Sequence, residues 1–394
     1  MKKYILIFII SVVYIQILFA QKEDLKNFSD IDKVILNIPD SETKTAKGIG
    51  NYIVTNWKHK EDQIRAVYSW ITSNIEYDIE NMFEINIQEK KEDKLSKVLK
   101  TRKGICEHYA LLFYNICKEI GIKSYIIDGY AKQNGVVNNT PHSWSAAYIN
   151  DEWYLFDPTW GAGGEYNGKF IKKRNDSYYK VKPAQFINSH MPFDYLWQFL
   201  EYPVTSQEFY DGSKSKSTQN AYFNYVDSIA VWDGQSDIDR MMSSASRVEK
   251  NGIKNSITAE YLRNLKISIE NERQSSIIDQ FNLAINDFNQ GVYGLNDFIS
   301  YRNNRFTPKK EDAEISLMLN APMEKLYTAK NRLSELEKVN NQQNIPIGET
   351  IRSINEAIKV AKENQEWLNS YLKKGKLARK GMFQKVTWFG IPLN

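Results

Sequence analysis

A chain of 394 residues with 42% hydrophobic and 13% aromatic content is too long for one ordinary core and too apolar to be disordered, so two folded units are expected. Its 52 basic and 48 acidic residues are interspersed, and the formal charge of +4 falls to +2 once Lys2 and Lys3 are subtracted. That pattern argues against nucleic-acid or membrane-surface binding.

The first twenty residues have the form of a secretory leader: Lys2 and Lys3, an apolar run from Tyr4 to Phe19, then Ala20 before the polar Gln21, Lys22 and Glu23. Cleavage after Ala20 and export to the periplasm or the extracellular space are expected. The run is shorter than the roughly 20 apolar residues that span a bilayer, and no second long apolar run follows, so no integral membrane segment is expected after cleavage.

Residues 21–100 are predicted to be mainly helical, with Ile64, Val67, Tyr68 and Ile71 at helical spacing; the charged stretch 88–94 reads as an exposed loop or helix start. Residues 101–200 carry a glycine-led helix and then short aromatic and β-branched runs broken by Asn, Gly and Pro, which argue strands and an α+β class. The small, polar stretch 211–220 suits a linker. Beyond it, over 221–394, helical stripes dominate: Ile277, Phe281, Ala284, Ile285 and Phe288; Leu326, Ala329, Leu333 and Leu336; and Ile354, Ile358, Ala361 and Leu368 within 351–372. Pro308, Pro322, Pro346 and the glycines at 291–294 are expected to punctuate these runs, giving an all-α antiparallel bundle.

Cys106 follows Lys103, Gly104 and Ile105, and the apolar pattern after it keeps helical period until Gly121, which puts Cys106 at or near the first position of a buried helix. Amides and dipole at that end favour a thiolate and can bind an oxyanion formed beside it. The other cysteine, Cys117, lies about three turns along the same helix, roughly 16 Å away. A disulfide needs Cα atoms within about 7 Å, so Cys117 is read as a buried core residue.

The stretch 141–164 reads as two strands around a polar turn at Asn150 and Asp151. With a two-residue loop, Ile149 faces Glu152, Trp144 faces Asp157, and His142 and Asp157 become diagonal neighbours on one face, about 7–8 Å apart and within side-chain reach. A three-residue loop would put them on opposite faces. A nucleophilic thiol needs a base, and the base needs a partner that fixes its tautomer and stabilises its charged form. Cys106, His142 and Asp157 supply these three types in that order. His59, His108, His142 and His190 do not show metal-ligand spacing, no acidic loop has calcium spacing, and Gly161, Gly163 and Gly164 precede no Lys-Ser or Lys-Thr pair, so neither metal nor cofactor is expected.

Taken together, Gly104-x-Cys106 with Tyr109 and Ala110, Gly121-Ile122, Gly129-Tyr130, His142-x-Trp144 and the run Trp153-Tyr154-x-x-Asp157-Pro158-Thr159-Trp160-Gly161 resemble the transglutaminase-like superfamily, particularly its bacterial and kyphoscoliosis-peptidase-type members. The resemblance covers about a quarter of the chain. It implies a papain-like, transglutaminase-type core over 21–210, a Cys-bearing helix packed on an antiparallel sheet, with Cys106, His142 and Asp157 as its triad. Residues 186–200 resemble the end of such a domain, with His190 and Trp197 as packing residues. Trp70, Trp153 and Trp160 are expected in the core, and Trp144 is expected to line the substrate cleft. At the second position after its cysteine the family commonly has a small residue; here it is His108, which a helix turns about 200° away from Cys106, so it is not expected to be the base.

The function implied is acyl transfer through a Cys106 thioester on a protein or peptide amide, with hydrolysis favoured over cross-linking of glutamine to an amine. A papain-like module without catalysis, binding a partner at the cell envelope, is the reading from another class. The helical domain and the tail 383–394 carry no motif; the tail is expected to dock back on the protein.

Overall fold

The computed structural model describes residues 28–82, 89–212, 221–339 and 345–383. The leader at 1–20, most of the expected linker and the tail beyond Phe383 therefore lie outside the described residues. Contacts divide the chain into two units, the first ending at Lys266 and the second beginning at Ile267.

The first unit opens with helices α1 (Ser29–Leu36), α2 (Ala46–Asn56) and α3 (Lys60–Asn74). A short strand β1 (Glu76–Tyr77), helix α4 (Lys91–Thr101) and strand β2 (Lys103–Gly104) lead to helix α5 (Cys106–Glu119). Strands β3 (Ser124–Gln133), β4 (Val136–Ile149) and β5 (Glu152–Phe156) follow, then a short helix α6 (Pro158–Ala162) and a hairpin of β6 (Gly163–Tyr166) and β7 (Lys169–Lys172). One helical turn, α7 (Pro183–Phe186), precedes strand β8 (His190–Pro192). Helices α8 (Ser206–Asp211), α9 (Tyr225–Gly234) and α10 (Asp237–Asn251) follow. Among the described residues the main sheet has the strand order β5-β4-β3-β8, antiparallel throughout.

Alternation along the strands explains why this sheet is covered on both faces. Ala147, Ile149 and Phe156 join a core with Ile64, Val67 and Ile71 of α3 and Leu112, Phe113 and Ile116 of α5. Tyr125, Ile127, Trp144, Ala146, Trp153 and Leu155 build a second core on the other side, and Ile229 and Trp232 of α9 pack against it. The expected α+β core, with a cysteine-bearing helix on an antiparallel sheet, is thus the observed one. The helices after residue 220 also belong in part to this unit: Arg247 of α10 makes a two-pronged contact with the buried carboxylate of Asp194, at 2.7 Å from both Nε and Nη2.

An ion cluster fastens the start of the unit. Arg65 of α3 is buried and bonds Asp32 of α1 at 2.7 Å and Asp176 at 2.8 Å, while Ser69 and Arg174 also contact Asp32. The guanidinium lies 4.7 Å from the ring centres of Phe28 and Tyr179, so it is paired and also stacked.

Helix α11 (Ser256–Asn303) contains the division between the units; α12 (Asp312–Val339), α13 (Ile347–Leu372) and α14 (Lys376–Gly381) complete the chain. In the second unit Phe298, Leu319, Leu326, Leu333, Ile354, Ala361 and Leu368 share one core, so the expected all-α region is present. The expected punctuation at 291–294 and at Pro322 is not: α11 runs through Gly291 and Gly294, and α12 through Pro322. A Cβ at Gly294 would lie 2.5 Å from Pro322 Cγ, and one at Gly291 2.7 Å from Leu326 Cδ2, so the glycines allow close helix packing here. Phe383, the first residue of the tail, docks back against Trp367 and Tyr371, with ring centres 5.4 and 5.6 Å apart.

Candidate active site

Cys106 is the first residue of α5, with extended Ile105 before it. The turn is closed by His108, whose Nδ1 accepts the Ile105 amide at 3.2 Å, which turns that imidazole to backbone capping. Gly104 makes room for it, since a Cβ there would lie 2.6 Å from His108 Cβ. Cys106 is buried, with 9% of the residue exposed, and neither cysteine is in a disulfide.

The β4–β5 connection is the two-residue loop that the site needs. Asn150 and Asp151 both take positive φ, at 51° and 63°, and Ile149 pairs with Glu152. This register carries His142 and Asp157 onto one side, and His142 Nε2 lies 2.8 Å from Asp157 Oδ2. Cys106, at the start of α5, is near enough to act on the same imidazole. The His142 side chain is 11% exposed and that of Asp157 is fully buried, so only the imidazole of the pair touches solvent.

Asp157 is fully buried, and local chain geometry satisfies it. It caps α6, with Oδ1 accepting from the Thr159 amide at 2.8 Å and the Trp160 amide at 3.1 Å, while Pro158 occupies the first helical position, where no amide is needed. Oδ2 takes His142 and also His190, whose Nε2 is 3.1 Å away. Burial alone would raise the Asp157 carboxyl, but the charge of His142 and hydrogen bonds from both histidines hold it well below the usual carboxylate range. Burial alone would lower His142; the charge and hydrogen bond of Asp157, with a further contribution from Cys106, push it up to about 10. For His190 burial prevails over Asp157 and keeps the imidazole below its ordinary value, so it is the neutral partner.

Two expectations change. Trp144 was expected to line the cleft, but it is 1% exposed, wedged between Phe186 and His190 and over Gly129, and no substrate can reach its ring. The aromatic here that does reach solvent is half-buried Trp160, stacked on His142 with ring centres 5.4 Å apart and planes at 28°. His190 does pack, as expected, but it also bonds Asp157, a contact that a separation of 33 positions hid from the sequence. Tyr77 of β1, paired with Gly104, borders the same place: burial and then the charges at Cys106 and Asp157 raise its phenol.

His142, Asp157 and His190 offer three donor atoms within 4.8 Å of one another, a spacing that one metal ion could bridge. Their 2.8 and 3.1 Å separations are those of hydrogen bonds, and both imidazoles converge on a single oxygen. A proton on each Nε2 accounts for the arrangement. Among the described residues no helix is long and apolar enough to cross a membrane.

Comparison with known proteins points the same way. Residues 47–158 match the transglutaminase-like superfamily. Kyphoscoliosis peptidase of Mus musculus is 32% identical over 164 residues, which is 40% of this chain and 24% of that protein. Hillarin of Drosophila melanogaster is 25% identical over 202 residues, 46% of this chain and 24% of that protein. The chain therefore spans about a quarter of the length of these curated relatives. Among solved structures, the periplasmic domain of TgpA from Pseudomonas aeruginosa, bound to ethylmercury, aligns over 34% of this chain and 52% of that one, with 18% identity and a TM-score of 0.25. With the motif residues, the helix-on-sheet core and the family match in agreement, the segment 47–158 belongs to the transglutaminase-like superfamily.

Proposed function

We propose that this chain performs thiol-dependent acyl transfer on protein or peptide amides, with Cys106 as nucleophile, His142 as acid and base, and Asp157 as the anchor of His142. The observation that carries the proposal is the bond of His142 to a buried carboxylate beside a cysteine at the start of α5, which acts on the same imidazole. In the first step Cys106 Sγ, its proton passed to His142, bonds to the amide carbon, the C–N bond breaks, and His142 gives that proton to the leaving amine. The oxygen that turns negative on the way faces the amides of a helix start. In the second step water attacks the thioester, His142 takes a proton from it, the C–S bond breaks and a carboxylic acid leaves.

The acceptor in the second step decides between hydrolysis and cross-linking. We favour water, in line with relatives named as peptidases, and we take the reaction to occur outside the cytoplasm, given the leader expected at 1–20.

The purified chain would be incubated with a mixed peptide pool and a fluorescent primary amine, and mass spectrometry would follow cleaved peptides, deamidated glutamines and amine adducts. Cleavage or deamidation that disappears in Cys106→Ser supports the hydrolytic reading. Amine adducts as the main Cys106-dependent product would move the chain to the cross-linking class. No Cys106-dependent product, together with unlabelled Cys106 after iodoacetamide, would leave the non-catalytic module.

A further inference from the structure

Asp157 Oδ2 receives two imidazoles, and the second has no part in the thiol chemistry proposed above. His190 lies outside the family match, which ends at residue 158, and reaches the site through the pairing of β8 with β3, where it faces Ala131. Its Nδ1 is 2.8 Å from Ser189 Oγ and its Nε2 is 3.1 Å from Asp157 Oδ2. A carboxylate can only accept, so Nε2 carries a hydrogen. The Ser189 hydroxyl has two partners for its own hydrogen, Nδ1 and the Phe186 carbonyl oxygen at 3.3 Å; Nδ1 is the nearer, and burial favours the neutral ring.

The ring is held on every side. It stacks on Phe186 at 4.1 Å, with Trp160 at 4.8 Å, Trp144 at 5.2 Å and Tyr178 at 5.6 Å between ring centres. Asp157, His142 and Tyr178 are the titratable groups that face it.

We propose that His190 is a positioning residue for the Cys106–His142 pair, clamping Oδ2 of Asp157 through a neutral Nε2–H donor that keeps its proton throughout the cycle. The inference rests on the acyl-transfer reading. His142 has to give up and regain a proton at each turnover, and while it is neutral its hold on Asp157 weakens. Oδ1 stays fixed by the amides of Thr159 and Trp160, and His190 fixes Oδ2 independently of the state of His142. The carboxylate is then already in place when His142 is reprotonated.

The test needs no knowledge of the substrate. The iodoacetamide labelling rate of Cys106 would be measured against pH, adducts located by mass spectrometry, for the full chain and for His142→Ala, His190→Phe, His190→Gln and Ser189→Ala, with thermal melts to establish folding. His142→Ala should slow labelling at about pH 6 by roughly 10-fold or more and displace the acid limb of the profile to higher pH. His190→Phe keeps the ring but loses the donor, and should displace the limb the same way but less far, slowing labelling about 3-fold or more. His190→Gln restores a donor and should return to within about 2-fold of the parent.

A folded His190→Phe with the parent's rate and acid limb, or a limb displaced to lower pH, would overturn the positioning role and leave packing. Should His190→Phe not fold, Ser189→Ala carries the test: it frees Nδ1 and should move the limb in the same direction, slowing labelling about 2-fold, whereas an unchanged profile overturns the proposal. Parent and His142→Ala labelling alike would instead sink the acyl-transfer reading itself.

Discussion

The Asp157 carboxylate uses one oxygen to cap a helix and the other to receive two histidines, and that division of labour has a pH signature. A carboxyl held below its unfolded value contributes stability above about pH 4, which is lost as pH falls. His190, also held low, contributes above about pH 6.5 and loses its share on acidification. His142 is pushed up to about 10, so its contribution is complete below its unfolded value and is lost as pH rises through about 10. Melting temperature should therefore peak near neutral pH. In calorimetry from about pH 4 to 10, His142→Phe should lose most of the alkaline decline and Asp157→Asn part of the acid one; an alkaline decline unchanged in His142→Phe would contradict the assignment. The same Asp157→Asn change should cut turnover about 100-fold or more, read as kcat/KM once a substrate is in hand. The helix-start position of Cys106 and the meeting of His142 with Asp157 were legible because each residue stands in its own local motif. His190 was not, because strand pairing brings it to the carboxylate, and no spacing in FINSHMPF announces a partner 33 residues earlier. Trp144 and Trp160 were exchanged for a related reason: both neighbour motif residues, and only packing decides which one faces out.

At the scale of elements, the site depends on two short pieces of backbone. The turn at Asn150 and Asp151 sets the β4–β5 register, and one inserted residue would turn His142 and Asp157 to opposite faces. Such an insertion should abolish enhanced Cys106 labelling while far-UV circular dichroism stays near that of the parent. Gly129 in β3 is the other piece. A Cβ there would overlap the Met191 carbonyl oxygen of β8 and press on the Trp144 ring, so Gly129→Ala should displace the strand that carries His190 and cost about 2–3 kcal/mol in denaturant unfolding. Helix α5 was legible from its apolar period and its closing glycine, and the hairpin from its polar turn. The glycines of α11 were misread as breaks because sequence alone does not distinguish a helix stop from a place where a neighbouring helix comes close.

For the molecule as a whole, two folded units followed from length and apolar content, but where the first one ends is a matter of packing. Ile229 and Trp232 cover the sheet, and Arg247 neutralises buried Asp194, so the first unit draws on residues well beyond 212. A chain ending at residue 212 would expose that face and leave Asp194 uncompensated. It should melt about 6–12 °C or more below a chain ending at 266, since losing one buried charge partner costs about 3 kcal/mol and each kcal/mol is worth roughly 2–4 °C in a unit of this size. Equal melting temperatures would show that the helices after 220 are dispensable to it. The chain has two cysteines, set along one helix about 16 Å apart, and Cys117 is sealed in the core with its thiol raised by burial. A peroxide that reaches Cys106 would leave a sulfenic acid with no second thiol in the molecule to condense with it. Its repair depends on thiols from the surroundings; where these are scarce, oxidation proceeds to the sulfinic acid and the thiol is permanently lost.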